Sequence, residues 1–149
     1  MGFNISVCGG VDSGCEGSDV FINRSYYNFV ASYDLFEEES VLVKAGEYAG
    51  LDLHPLTNVA YLDGFEEGDE AEVEQDVDKL LTLVNAFIAK VKSEPSMIDK
   101  INYKAKAFQY SMWKDYFHSG GILEDLEALS QALTHYKNAG ESKVFFGVG

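Results

Sequence analysis

Apolar residues recur along the chain in two periods, and the change between them marks its elements. Phe3, Ile5 and Val7 alternate with polar residues, which predicts a strand over residues 3–8. Residues 19–23, DVFIN, predict a second strand, so the two would form a hairpin around the glycine-rich CGGVDSGCEGS. Tyr26, Phe29, Val30 and Tyr33 share one face of a short helix that Asn23 or Ser25 can cap. Residues 34–51 favour a helix with Leu35, Phe36, Leu42 and Val43 on one stripe and Gly50 as its stop. Residues 52–68 predict connection, with NVAYL as a possible short strand.

The C-terminal half is more regular. Asp69 and Glu72 have the spacing of a capping box, and Val73, Val77, Leu80, Leu81, Val84, Phe87, Ile88 and Val91 keep the spacing of an amphipathic helix until Ser93 and Pro95. A further helix is expected over 98–118, where Ile98, Ile101, Ala105, Phe108, Met112 and Tyr116 form one stripe and Tyr103, Tyr110 and Phe117 another. A helix that is apolar nearly all round is central in the fold or covered by a partner. Ile122, Leu126, Leu129, Leu133 and Tyr136 define the last helix, which ends near Gly140, and SKVFFGVG predicts a closing strand. These elements predict a single α+β domain over 1–149, in which an N-terminal hairpin and the C-terminal strand form a small sheet on three to four helices.

Charge changes the picture. The net charge is −14, yet residues 1–80 hold 18 carboxylates against three bases, while residues 81–149 hold seven against eight lysines. The stretch 62–80 alone carries nine carboxylates and one lysine. The start of a helix accounts for Glu70 to Asp78, because its macrodipole favours anions. It does not account for Asp63, Glu66 and Glu67, or for Glu37, Glu38 and Glu39. An acidic half of this kind repels phosphate, so direct binding to nucleic acid is not expected and a basic protein surface is. The lysines between 90 and 114 do not share one stripe and read as a solvated rim paired with nearby carboxylates.

Specific chemistry is sparse. The glycine-rich segment lacks the G-K-[ST] of a phosphate loop, and His54, His118 and His135 show no metal-ligand spacing. No cofactor and no metal are expected, and no catalytic set stands out. Cys8 and Cys15 are read as one buried and one loop thiol in a reducing compartment, with a disulfide as the lesser alternative. No apolar run reaches membrane-spanning length, and MGFNISVCGG has no secretory character, so a cytoplasmic, non-membrane location is expected.

The expectation is therefore a non-enzymatic binding protein. Aromatic residues beside carboxylates are its candidate contacts: Glu37, Glu38, Glu39, Tyr48, Asp63, Phe65, Glu66, Glu67 and Glu70, with Tyr26, Tyr27, Tyr33 and Phe36 as further rings. The partner would be a nuclease or another basic, nucleic-acid-binding protein. The likeness to immunity-type inhibitors rests on charge and size alone. Two other readings stand beside it: a subunit, such as a homodimer, associating through helix 98–118, and a small hydrolase or metal-dependent enzyme.

Overall fold

Four short strands and five helices build the α+β fold in the computed structural model, which describes residues 3–9, 15, 20–36, 38–64, 66 and 73–149. In chain order these are β1 (Ile5–Cys8), α1 (Arg24–Val30), α2 (Val41–Ala49), β2 (Val59–Tyr61), β3 (Gln75–Asp76), α3 (Val77–Ser93), α4 (Ala107–His118), α5 (Gly121–Asn138) and β4 (Lys143–Val148), with short 3-10 turns at His54–Thr57 and Met97–Asp99.

The C-terminal strand is the centre of the sheet, not its edge. β1 lies antiparallel on one side of β4, with Ile5 opposite Val148 and Cys8 opposite Phe145. β2 lies parallel on the other side, with Val59 opposite Phe146 and Tyr61 opposite Val148. β3 pairs with the start of β4 through Gln75 and Val144. The predicted neighbourhood of first and last strand is present. The predicted hairpin is not, since residues 20–23 form no strand. Asn4 ties them down by donating Nδ2 to the Ile22 carbonyl at 3.2 Å, and Asn23 caps α1 by accepting from Ser25 N–H.

One face of the sheet, with Ile5, Val7, Val144, Phe146 and Val148, joins the helices in the main core. There α3, burying Val77, Leu80, Val84, Phe87 and Val91, runs along α5, which buries Ile122, Leu126, Leu129 and Leu133. Phe29 of α1 packs on Trp113, Phe117 and Tyr116 of α4, at centroid distances of 5.2, 5.5 and 5.9 Å. The other face carries a smaller cluster of Cys8, Ala60 and Phe145 with Cys15, Leu62 and Val73.

Three helix boundaries differ from the sequence reading, each because side chains capture backbone groups. Residues 34–36, 38 and 39 are irregular. Ser40 caps α2 by accepting from Leu42 N–H while its hydroxyl donates to the Val30 carbonyl, so the helix begins at Val41, and Leu35 and Phe36 stay exposed. Gly50, at φ 74°, ends it as expected. α3 begins at Val77 because Asp76 accepts from Lys79 N–H and Val77 N–H bonds to Ser142, which draws Gln75 and Asp76 into the sheet. The expected Asp69–Glu72 cap lies outside the described residues. α4 begins at Ala107, not near 98. The amides of Lys104, Ala105 and Lys106 bond to Asp34, to the Tyr110 hydroxyl and to Gln109, and Ile101 and Tyr103 enter the core from an extended segment.

The cysteines also differ from the favoured reading: Cys8 and Cys15 form a disulfide. Cys8 is fully buried, so the bond fixes Cys15 against the smaller face of the sheet.

Candidate functional site

β1 and β2 flank β4 so that their outer ends meet beside α1. Phe3 continues the inward-facing side of β1 past its last ladder residue, and Tyr61 is the last residue of β2. Tyr27 comes down from α1 between them. The Phe3 ring stands edge-on to Tyr27 at 5.7 Å and to Tyr61 at 6.2 Å, and the two tyrosine hydroxyls are 3.2 Å apart. Phe3 and Tyr61 are 45% and 52% exposed, so this is a ring platform open to water and not an extension of the core. The bond to Tyr61 is the main cause that pushes the Tyr27 phenol up to about 12, with the phenol of nearby Tyr33, itself exposed, adding to it. The Tyr27 hydroxyl is therefore protonated at neutral pH.

Asp63, Gly64 and Glu66 follow directly from Tyr61, and both acids are exposed. No ion pair joins Asp63 to a cation among the described residues. The C-terminal half is different. Lys90 and Lys100 pair with Glu94, Lys92 with Glu127, Lys114 with Asp99, and Lys137 with Asp78 at 2.7 Å. Four of the six lysines between 90 and 114 thus pair with nearby carboxylates, while Lys104 lies over the Phe36 ring.

The remaining expected contact residues fall into separate groups. Glu38 is exposed at a positive φ of 56°. Glu39 is drawn inward, 3.5 Å from the buried Lys44 and 3.6 Å from His54 Nε2. The other ring nitrogen of His54 lies 2.6 Å from Asp52, and this bond chiefly raises the histidine and lowers the carboxylate. Tyr48, at the far end of α2, bonds to Glu94, which falls below the usual carboxylate range as a result, and has Lys90 Nζ 5.3 Å from its ring centroid. Glu37, Phe65, Glu67 and Glu70 lie outside the described residues. Tyr26 is buried in the core, while Tyr33 and Phe36 are exposed, the latter with Lys104 Nζ 5.8 Å from its ring centroid.

Sequence reasoning missed Phe3 and Tyr61 as surface rings, because alternation assigned both to strands without showing where the ladder stops. It also missed Asp125. This carboxylate is 6% exposed, accepts from the Tyr116 hydroxyl at 2.6 Å and from Asn23 N–H at 3.0 Å, and is pushed above the usual carboxylate range chiefly by burial. Its signal was in the chain: Asp125 stands three residues after Ile122 and four before Leu129, inside the apolar stripe.

The described residues hold no cluster of three or more His, Cys, Asp or Glu side chains placed to bind a metal. No helix among them is long and apolar enough to cross a membrane. No family model, no curated protein and no solved structure matches the chain.

Proposed function

We propose that this chain is a non-enzymatic binding protein that engages a basic protein surface, as an immunity-type inhibitor engages a nuclease or another nucleic-acid-binding protein. The observation that carries the reading is the Phe3–Tyr27–Tyr61 platform, exposed at Phe3 and Tyr61 and half-buried at Tyr27, with Asp63 and Glu66 following Tyr61 in the chain. Aromatic rings at a surface serve as rigid anchors, and their faces attract guanidinium and ammonium groups. Carboxylates at the surface add long-range attraction and reject phosphate. The C-terminal half holds about as many bases as acids, so the excess negative charge lies in the half of the sequence that includes Asp63 and Glu66.

The experiment is capture from the native host with wild type, a Tyr27→Ala/Tyr61→Ala variant and an Asp63→Lys/Glu66→Lys variant. A basic protein retained by wild type at low salt and lost by both folded variants supports the reading. Equal retention by all three removes the platform as the contact surface.

A second reading, self-association through α4, is favoured by Phe108 and Met112, which lie one turn apart and are exposed. Trp113, Tyr116 and Phe117 of the same helix are buried within the fold, which leaves a narrow face for a second copy. Sedimentation that stays monomeric at high concentration disposes of it. As to location, the disulfide favours an oxidising compartment over the expected cytoplasm. Alkylation of the native protein before and after reduction distinguishes the two.

A further inference from the structure

His54 stands between two carboxylates that come from different segments. Its Nδ1 lies 2.6 Å from Asp52 in its own connection, and its Nε2 lies 3.6 Å from Glu39 in the connection between α1 and α2. The second oxygen of Glu39 lies 3.5 Å from Lys44 of α2. Gln75 of β3, which is uncharged, donates to the carbonyl of Pro55, next to the histidine. Asp76, Asp78 and Lys79 line a depression together with Pro55, and Asp78 is paired with Lys137. Of these groups Asp52 and Glu39 act on the ring, and both strengthen its hold on a proton. The α1–α2 connection needs such a tie. Glu38 sits at φ 56°, a left-handed conformation that costs energy for any residue with a side chain. Its N–H donates to the Asp34 carbonyl, and the Asp34 N–H donates to the Glu39 carbonyl. Leu35 and Phe36 ride on the same connection, exposed to water. A segment with so little apolar burial opens easily unless its side chains hold it down.

We propose that His54 is a proton-operated clasp between these two connections. Protonated, the ring donates from Nδ1 to Asp52 and from Nε2 to Glu39, and so fastens the α1–α2 connection. Neutral, it keeps one proton. The shorter contact retains that proton at Nδ1, and Nε2 then turns a lone pair towards the Glu39 carboxylate, which repels it. Asp52 and Glu39 hold the histidine above its ordinary range, so the clasp is complete below that range and is lost as pH rises through the raised value. Tyr33, at the start of the α1–α2 connection, adjoins Tyr27 of the ring platform. The clasp therefore also sets one border of the surface proposed above for the partner, a consequence that rests on that reading.

The test follows the His54 ring nitrogens and the Asp34 and Glu38 amides by NMR in the full chain, across the histidine titration range. Amide protection, corrected for intrinsic exchange, is expected to fall about two- to fivefold as His54 loses its proton, which is the scale of a surface ion pair. Asp52→Asn is expected to lower the midpoint and keep the fall, because the imidazolium still meets Glu39. Glu39→Gln is expected to lower the midpoint and remove the fall. His54→Gln should give the low protection at every pH. Protection that stays level through the His54 titration, or a midpoint that Glu39→Gln leaves in place, overturns the proposal. No partner enters these measurements, so their failure leaves the ring platform untouched. With the fall in protection observed, a partner association rate that is level over the same pH range breaks the link from clasp to platform.

Discussion

Tyr26 and Tyr27 are neighbours in α1 and meet opposite environments. Tyr26 is 1% exposed, in the core beside Asp125 and Tyr116. Tyr27 lies at the surface with Phe3 and Tyr61. In the first cluster water is excluded, so a lost partner leaves an unmet polar group, and burial raises every ionisable side chain whose charged form is negative. In the second, water replaces any lost partner, and the rings are available to another molecule. Folding is decided in the first cluster. Binding is proposed for the second.

The largest effect is expected at Asp125. Asp125→Ala leaves the Tyr116 hydroxyl and the Asn23 amide without an acceptor and should cost about 3 kcal/mol in urea unfolding. A loss below about 0.5 kcal/mol would mean that water enters freely, and the contrast between the clusters would fail. Asp125→Asn should show a smaller, pH-dependent difference. The folded state holds the carboxyl proton more tightly than the unfolded chain does. Wild type therefore loses stability relative to this variant as pH rises from the usual carboxylate range through the raised value. A difference that is flat across that range would show that Asp125 is solvated. At the surface, Tyr61→Phe should change stability by less than about 0.5 kcal/mol. It should nevertheless bring the Tyr27 phenol down from about 12, read by ultraviolet titration, because the bond to Tyr61 is the main cause of the rise.

The same contrast explains what was legible in the sequence. The stripes of α3 and α5 and the alternation in β4 were clear because burial on one face imposes a period. The stop at Gly50 and the Asn23 cap were legible because they depend on local backbone chemistry. The starts of α2, α3 and α4 were not. Ser40, Asp76 and Asp34 set them through bonds to Val30, to the segment next to Ser142 and to Lys104, and such pairings across the chain leave no local pattern. The hairpin was misjudged for a similar reason. Residues 20–23 are apolar enough for a strand, but Asn4 holds them through a side chain and Asn23 already turns into the cap of α1, so no ladder forms. At the candidate site, the carboxylates Asp63 and Glu66 were visible as a charge excess. The rings Phe3 and Tyr61 were not, because a strand residue is exposed or buried according to where its ladder ends, and that is fixed by the partner strand.

The most direct test is the rate at which the captured partner associates with wild type and with Asp63→Lys/Glu66→Lys, measured at several salt concentrations. If the acidic ring platform is the contact surface, wild type associates rapidly at low salt and slows by about tenfold or more towards physiological ionic strength, and the variant starts slow with a weak salt dependence. Association rates that are equal for the two proteins and indifferent to salt would contradict the account.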